Sequence, residues 1–456
     1  MIKIQEMMIL SKLHKAVRLT FCVCLIFNFQ FSDFSSVSAQ DTAAKEKRLP
    51  VIHPAMGTKE EMAGITVELV GRKQHYAPYI KETAEKDIYS PKSVNIHPSG
   101  EKYYVNSLEG GSTVVFDFAT GKKLKTIHHR FTQKDMGLWA PASGLFPFTH
   151  YSKNLNTFMG KPVESTFSHE GRYLWVPYYR RSFDINAQDP SALAVIDTEN
   201  DSIVRLFETG PLPKMIATSP DNHYIAVTQW GDNTVGIIDI SGEKMEDWHY
   251  VSCLVVDYKM ELNYSLSTPV NRDCNCGYCL RGTVFTPDNK YLLVGCMGGS
   301  GGIAVIDLPS GKYLGRIMGM KPNLRHLVIQ GEYLYLSINN AGYIQRMKLE
   351  DFMAAIPNLT EQKKTFSLGG WESCKVPAGA RTIVLSPDGN YLFAACNTSS
   401  CMAVVDTREM KLLGTIAADS YPVGLDISAD GQYIFLTSQG RDGQGGNSVD
   451  IFKVTY

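Results

Sequence analysis

Residues 381–407 decide the fold, and they read RTIVLSPDGNYLFAACNTSSCMAVVDT. The tetrad Ser386-Pro387-Asp388-Gly389 is turn chemistry, because proline presets φ, aspartate bonds back to nearby N–H groups and glycine accepts positive φ. The residues around it are aromatic, β-branched or small, which favours strands in a sheet covered on both faces. We predict four strands, at residues 383–385, 391–395, 402–405 and 411–417. One such unit cannot bury both of its faces, so it must stack against copies of itself.

The same pattern recurs along the chain, and each copy has a polar turn followed by a strand that begins with tyrosine. Five copies also end their third strand in apolar residues and aspartate, as in Val305-Ile306-Asp307. Seven leading tyrosines mark seven copies: Tyr103, Tyr173, Tyr224, Tyr291, Tyr333, Tyr391 and Tyr433. Seven stacked four-stranded units close into a ring without long exposed edges. The sequence therefore predicts an all-β chain, a seven-bladed β-propeller of four-stranded antiparallel blades.

The two ends of the chain indicate how the ring closes. The last copy supplies only three strands before Tyr456, and residues 65–70 offer an apolar, β-branched strand near the start. We expect this N-terminal strand to complete the last blade, which removes an exposed edge. The expected organisation is a signal peptide at residues 1–39, a charged linker at residues 40–62 and the propeller at residues 63–456.

The repeat resembles the YVTN-type (YncE-like) repeat of secreted bacterial and archaeal propellers. The resemblance rests on the pattern of residues 386–407, a Ser-Pro-Asp-Gly turn, a Tyr-led strand and a terminal Val-Asp-Thr, and it covers nearly all of residues 63–456. It implies a seven-bladed fold and export. It does not imply one activity, because propellers of this class include binding proteins, cell-surface proteins and parts of periplasmic oxidoreductases.

The N-terminus has the pattern of an export signal. Lys12, Lys15 and Arg18 precede an apolar run at residues 21–31, and small residues ending at Ala39 form a cleavage site. We expect a periplasmic or extracellular protein, and a lipid anchor is less favoured. No other apolar stretch is long enough to cross a membrane. The formal net charge of −1 gives no reason to expect a nucleic-acid partner.

Extra residues collect on one face of the predicted ring, which favours a binding face because loops on a rigid scaffold often carry function. Tolerated surface insertions are the alternative. The insertions span residues 128–160, 178–191, 249–280 and 440–447, and the exception is residues 349–362, expected as a short helix on the opposite face. Three aromatic residues on this face are candidate ligand contacts: Trp139, Tyr178 and Trp230.

Aligning the copies by their tyrosines identifies one position before each innermost strand, at the channel mouth on the same face. Five of the seven occupants are basic. The seven are Lys92, Val163, Lys214, Arg281, Arg325, Arg381 and Val423. His326 and Glu164 follow two of these positions directly. We expect a cationic mouth that binds an anion, with arginines that merely brace neighbouring blades as the competing interpretation.

Two classes of function fit this pattern. The first is a binding protein for an anionic or aromatic small molecule, a glycan or a protein partner. The second is an enzyme on the same face, either a lyase or hydrolase of an acidic glycan or an oxidoreductase subunit, with His326 or the Tyr178–Tyr179 pair as base. We favour binding, because the sequence contains no fixed acid/base pair. We expect no cofactor.

Eight cysteines follow the predicted signal peptide, and an even number in an exported chain favours disulfides. Cys396 and Cys401 flank one hairpin loop, with Cys374 as an alternative partner for either. Cys279 and Cys296 form a second candidate pair. The run CNCGYC at residues 274–279 is also compatible with a thiolate metal cluster, but its spacing is not a common zinc pattern. We therefore expect disulfides and no metal.

Overall fold

The computed structural model describes residues 52–75, 84–150, 154–263, 265, 267–440 and 445–456. These residues form seven antiparallel sheets arranged as a β-propeller, as the repeat predicts. The predicted signal peptide at residues 1–39 lies outside the described residues, and so does the predicted linker up to residue 51.

Each blade has four strands, counted from the channel outwards, with small additions in three blades. Blade 1 contains Pro91–Ile96, Lys102–Ser107, Ser112–Asp117 and Lys123–His128. Blade 2 contains Phe158–Pro162 and Thr166–Ser168 as a broken first strand, then Tyr173–Arg181, Ser191–Asp197 and Ser202–Thr209, with Arg130–Phe131 added. Blade 3 contains Pro213–Thr218, Tyr224–Gln229, Thr234–Asp239 and His249–Val255.

The remaining blades repeat the arrangement. Blade 4 contains Leu280–Phe285, Tyr291–Cys296, Ile303–Asp307 and Lys312–Met318, with Thr365–Ser367 added in parallel. Blade 5 contains Leu324–Gln330, Tyr333–Ile338, Tyr343–Lys348 and Glu372–Lys375. Blade 6 contains Ala380–Leu385, Tyr391–Cys396, Cys401–Asp406 and Lys411–Ala417. Blade 7 contains Pro422–Ile427, Tyr433–Ser438, Ser448–Thr455 and Ile65–Gln74, with Lys59–Met62 added.

Helical segments are short. The α-helix Leu349–Ala355 follows the third strand of blade 5, and the 3-10 turns are Gln133–Leu138, His169–Gly171, Met245–Asp247 and Ile356–Asn358. Within the described residues, no helix has the length and apolar character needed to cross a membrane.

The N-terminal strand closes the ring. Ile65–Gln74 pairs antiparallel with Ser448–Thr455 and becomes the outer strand of blade 7, which confirms the predicted closure. Lys59–Met62 then folds back on Ile65–Gln74 as a fifth strand. These four residues belong to the segment interpreted as a linker, so the sequence interpretation missed this short hairpin.

A buried ionic network fastens the closing strand. Arg72 is 3% exposed, and its Nε donates a 2.5 Å hydrogen bond to Oδ1 of Asp450, which is 0% exposed. Arg72 also donates to the carbonyl oxygen of Pro54 at 3.1 Å. The Ile52 amide donates to the Ser420 hydroxyl at 2.8 Å. The segment before the closing strand is thus attached to blade 7 as well.

Apolar side chains fill the space between neighbouring blades. Tyr103 of blade 1 is buried, and its ring centroid lies 5.0 Å from that of Phe116 in the same blade and 4.5 Å from that of Phe435 in blade 7. The leading tyrosine of this repeat therefore packs between blades, which explains its recurrence: a large ring fits the gap between two twisted sheets.

The innermost strands share an irregularity that positions the channel mouth. Each contains one extra residue relative to its partner strand, a β-bulge. In four blades the bulge falls at the aligned position: Lys92, Lys214, Arg325 and Val423. In blades 4 and 6 it falls within residues 281–282 and 381–382, which include the aligned Arg281 and Arg381. In blade 2 it falls within residues 163–165. A bulge turns a side chain away from the regular pleat, and bulges are common beside functional sites.

A left-handed residue accompanies the bulge in six blades. It lies two positions before the bulge, with φ between 50° and 93°: Ser90, Leu212, Cys279, Asn323, Gly379 and Tyr421. The backbone thus enters each of these strands in the same way, so their aligned side chains occupy equivalent places around the channel.

The cysteine pairing differs from the prediction. Cys276 and Cys279 form a disulfide, with an S–S distance of 2.07 Å and a Cα–Cα distance of 4.8 Å. The predicted Cys279–Cys296 pair is therefore wrong, because the tight turn that ends at Cys279 brings it to Cys276. Cys374, Cys396 and Cys401 are buried thiols, so the predicted bridges among them are absent from this structure. Cys396 and Cys401 nevertheless lie directly opposite each other in the ladder of blade 6.

Candidate functional site at the channel mouth

Five cationic side chains from five blades converge at one end of the channel. Because the bulges direct them inwards, each lies within electrostatic range of others in the group. They are Lys92, Lys214, Arg281, Arg325 and Arg381, and we call this group the cationic ring. Val163 and Val423 occupy the two remaining positions, and both are buried.

Lys214 is the ring member with the most defined surroundings. Its Nζ lies 3.1 Å from Oδ1 of Asp273, which belongs to the insertion between blades 3 and 4. The same nitrogen lies 4.2 Å from the ring centroid of Tyr179 and 4.9 Å from that of Trp230. One carboxylate and two aromatic faces therefore enclose the ammonium group, a geometry suited to cation–π contact.

The three arginines of the ring differ in their surroundings. The nearest carboxylate oxygen to Arg281 is Oε1 of Glu164, at 3.6 Å from Nη2. Arg325 Nη1 lies 3.3 Å from the sulfur of Met297. The guanidinium carbon of Arg381 lies 6.0 Å from the ring centroid of Tyr421.

Lys92 and Arg381 lack close charged partners in the described part of the chain. Neither of them has a carboxylate oxygen within 4.0 Å there. Among the described residues, Glu164 lies beside Arg281 and Asp273 lies beside Lys214.

The side chains of the cationic ring are mostly buried. Lys92, Arg281, Arg325 and Arg381 are all buried, and the Lys214 side chain is 12% exposed. Desolvation penalises these charges and lowers the pKa of Lys92 and Lys214 well below the ordinary value, with neighbouring arginines adding to the shift. Desolvation and the charge of Arg381 also lower the pKa of Arg281 to about 10.

A cavity of about 520 Å³ occupies the channel next to the ring. Six of its lining residues directly follow an aligned position: Ser93, Glu164, Met215, His326, Thr382 and Gly424. Pro220 and Pro287 line its other end, where the turns between first and second strands lie. The cavity therefore extends from the layer of His326 towards the opposite face.

His326 is placed as a hydrogen-bond donor in this cavity. Its Nδ1 accepts from the amide of Ile383 at 3.3 Å, so the neutral ring carries its proton on Nε2. Desolvation and the charge of Arg281 lower the pKa of His326 to about 4. The imidazole of His326 is thus neutral at physiological pH. Its Nδ1, the nitrogen that could act as a base, already accepts the hydrogen bond from Ile383.

Trp230 lies at the mouth, whereas the structure does not bring Trp139 or Tyr178 to it. Trp139 packs on Arg181, with 4.9 Å between the ring centroid and the guanidinium carbon, and bridges to Leu206 in the outer strand of blade 2. Tyr178 is 0% exposed, and its hydroxyl oxygen lies 2.8 Å from Nδ1 of the buried His129. Tyr178 is therefore a core residue between blades 1 and 2.

Sequence reasoning missed three residues of the mouth: Asp273, Met297 and Tyr421. Tyr421 carries the left-handed conformation two positions before the bulge of blade 7, so the repeat register contained a signal for it. Met297 directly follows the second strand of blade 4, as Trp230 follows that of blade 3, so the repeat register contained a signal for it as well. Asp273 comes from an insertion without a repeat counterpart, and no pattern in the chain places it.

Comparison with known proteins supports the fold and nothing finer. No family model matches the chain, and no curated protein matches it. The structure is similar to Kuenenia stuttgartiensis hydrazine synthase, with a TM-score of 0.56, 15% identity and coverage of 82% of this chain and 99% of that one. It is also similar to the Cps50 (Swd1) β-propeller domain of Myceliophteria thermophila, with a TM-score of 0.55, 13% identity and coverage of 80% and 97%. The chain is a seven-bladed β-propeller. At these identities the likeness concerns architecture, and the YVTN-type resemblance remains an interpretation of the sequence.

In the described ranges, no group of three or more His, Cys, Asp or Glu side chains is placed to hold a metal ion. Two of the three cysteine sulfurs at residues 274–279 form the Cys276–Cys279 disulfide. A thiolate cluster of these three residues is therefore incompatible with the oxidised state of the site.

Proposed function

We propose that this protein is an exported binding protein that takes a small anionic ligand at the cationic ring. The observation that carries the proposal is the convergence of five cations from five blades at one end of the channel, with Lys92 and Arg381 lacking a carboxylate oxygen within 4.0 Å among the described residues. Buried like charges repel one another and are stripped of water, so an anion that enters the mouth offsets an existing cost.

The surroundings favour an anion with a flat or apolar body. Trp230 and Tyr179 form one wall beside Lys214, and Tyr421 lies near Arg381. A carboxylate, sulfate or phosphate group can accept hydrogen bonds from the guanidinium groups in a geometry that lysine alone does not offer.

The competing interpretation makes the arginines braces between blades. Bracing arginines exist elsewhere in this chain and have firm partners. Arg346, for example, donates to Glu372 at 3.0 Å and to the backbone oxygen of Thr407 in blade 6. Lys92 and Arg381 have no comparable set among the described residues, which favours a binding role for the ring.

The test is a titration with acetate, glucuronate, phosphate and sulfate by calorimetry at low and moderate salt. We expect Arg281→Gln with Arg381→Gln to weaken binding of the best anion by about 2–5 kcal/mol, because charge pairs desolvated on binding are lost. The residual affinity should depend less steeply on salt. Arg346→Gln is the matched control, since it removes a buried arginine outside the mouth and should leave affinity unchanged.

Thermal unfolding without added anion separates the two interpretations. Removing a charge from a cluster of like charges relieves repulsion, so the double variant should melt at or above the temperature of the parent protein. A large fall in melting temperature together with unchanged anion affinity would assign Arg281 and Arg381 to bracing and refute the proposal.

A further inference from the structure

We propose that Lys214 forms a covalent imine with the carbonyl carbon of a small oxo acid whose carboxylate is held by the arginines of the ring. This inference rests on the proposed anion-binding function and names the class of ligand. It separates Lys214 from the other four cations by its chemistry.

Lys214 has the neighbours that imine formation requires. A carboxyl oxygen of Asp273 lies 3.1 Å from its Nζ, close enough to pass a proton to an oxygen atom bonded at the same carbon. The faces of Tyr179 and Trp230 shield the amine from water on one side. No described residue offers Lys92 a carboxyl group at ion-pair distance, so the two lysines of the ring are not equivalent.

The surroundings of Lys214 act on its proton. Desolvation lowers the pKa of Lys214 well below its ordinary value, and the charges of Arg281, Arg325, Arg381 and Arg180 lower it further. A lysine that is desolvated or lies beside another cation is activated as a nucleophile for this reason. Desolvation also raises the pKa of Asp273 to about 7, against the charges of Lys92, Arg281 and Lys161. These shifts raise the fraction of Lys214 that is the neutral amine, and they keep a proton on Asp273 up to near neutral pH.

The pair is also reachable. The Lys214 side chain is 12% exposed and that of Asp273 is 26% exposed, whereas the Arg281 side chain is 4% exposed. A small oxo acid entering from the insertion face meets the amine and the carboxyl group first. Its carboxylate then points towards the more deeply buried guanidinium groups.

The step balances without an oxidant or a metal. The lone pair of the Lys214 amine attacks the carbonyl carbon, and the C=O π electrons move to oxygen. A proton passes from nitrogen to that oxygen and gives a carbinolamine. The hydroxyl group then accepts the Asp273 proton and leaves as water, and the nitrogen lone pair forms the C=N bond. One amine and one carbonyl yield one imine, as its protonated iminium form beside the Asp273 carboxylate, and one water.

Reductive trapping tests the proposal. The mature protein is incubated with pyruvate or glyoxylate and cyanoborohydride, and the modified lysine is located by peptide mass spectrometry. We expect one carboxyalkyl group per chain, at Lys214, formed at least about tenfold faster than at any exposed lysine. Asp273→Asn should slow labelling about tenfold or more, since it removes the proton donor.

Two variants serve as controls. Lys214→Arg retains a basic side chain but has no primary amine, so it should lose the label. Lys102 is a matched lysine, because its Nζ lies 3.0 Å from Asp201, yet it lies outside the ring. Lys102→Arg should therefore leave labelling of Lys214 unchanged.

The outcomes separate this inference from the proposed function. Acetate binding by the parent protein without preferred labelling of Lys214 would overturn the imine and leave anion binding intact. Failure of every anion to bind would overturn the proposed function itself. Equal labelling of many lysines would also count against the imine. So would labelling of Lys214 at the parent rate in Asp273→Asn.

Discussion

Asp426 illustrates at the scale of one residue how the channel wall modifies an ionisable group. Its two oxygens accept the amides of Ile96 and Ile427 at 2.8 and 2.9 Å. Desolvation nevertheless dominates and raises its pKa to about 6. An unfolded aspartate titrates near about 3.9. Between these values the folded protein binds the proton more tightly, so the free energy of unfolding falls as the pH rises.

Asp426→Asn should remove this part of the pH dependence. We expect the free energy of unfolding of the parent protein to fall by about 1–2 kcal/mol more than that of the variant between pH 4 and pH 7, since the group lines a cavity and is partly screened. Denaturant unfolding at pH 4, 5.5 and 7 measures the difference. Identical profiles for the two proteins would contradict the argument.

Asp388 provides a control of opposite sign. Desolvation opposes its ionisation, but hydrogen bonds from Ser386 and Asn390 lower its pKa below the ordinary value. Its contribution to stability is present above the unfolded pKa and is lost as the pH falls through the folded one. Asp388→Asn should therefore change the profile at the acid end, in the opposite direction to Asp426→Asn.

Single residues also mark where the sequence stops being informative. The repeat register predicts that Lys214 and Arg281 share the channel mouth, because equivalent strands place equivalent residues around one axis. It could not predict that Asp273 pairs with Lys214, since an insertion without a repeat brings it there. Nor could it predict that the Ile383 amide donates a hydrogen bond to Nδ1 of His326, because this bond depends on the contact between blades 5 and 6.

Among the elements, the bulged first strand determines the direction of the ring side chains. In blade 6 the left-handed position is Gly379, with φ of 93°. A Cβ atom there would meet Asn397 and the backbone nitrogen of Thr398. The conformation and the close approach both require glycine at this point.

Gly379→Ala should therefore lower the free energy of unfolding by about 1–3 kcal/mol and displace Arg381. The matched control is Gly369→Ala, where an added Cβ meets no atom within 4 Å. Melting curves and anion titrations of both variants check the prediction. Full stability and full anion affinity in Gly379→Ala would show that the strand entry does not position Arg381.

Turn and strand positions were predictable at this scale because their chemistry is local. The tetrad Ser386-Pro387-Asp388-Gly389 and the outer strand Lys411–Ala417 lie where the sequence indicates. The bulges were not predicted, because a bulge exists only relative to a partner strand. The Cys276–Cys279 bridge was missed for a related reason, since the tight turn at Cys279 belongs to the entry into blade 4.

For the whole molecule, closure of the ring depends on the contact between the N-terminal strand and blade 7. Arg72 and Asp450 form a buried pair at this contact, with 2.5 Å between Nε and Oδ1. Breaking a buried pair from one side leaves an uncompensated charge, which costs more than replacing both partners.

Arg72→Met should lower the free energy of unfolding by about 3–5 kcal/mol. Adding Asp450→Asn to this variant should restore part of the loss, because one of the two buried carboxylates beside Arg72, Asp450 and Asp419, is then neutral. Denaturant unfolding of the single and double variants measures the recovery. A loss below about 1 kcal/mol in Arg72→Met would mean that the pair contributes little to closure.

The closing strand was predictable from a count of strands, because a three-stranded last copy requires a partner from elsewhere. The added strand Lys59–Met62 and the attachment of Ile52 to Ser420 were not predictable, since neither repeats a pattern. Whole-chain architecture thus follows from periodicity, and departures from periodicity carry the features specific to this protein.

The first strand begins in the same way in six of the seven blades, so six aligned positions at the rim of the channel are equivalent sites for substitution. Each of them brings one side chain to a shared space, and the backbone that positions it lies within its own blade. A new selectivity can therefore arise by changing one position at a time, without rebuilding the scaffold. One of the six positions, Val423, holds an apolar residue in the present chain. It is the place at which a descendant or an engineered variant can acquire a different specificity while the five cations remain unchanged.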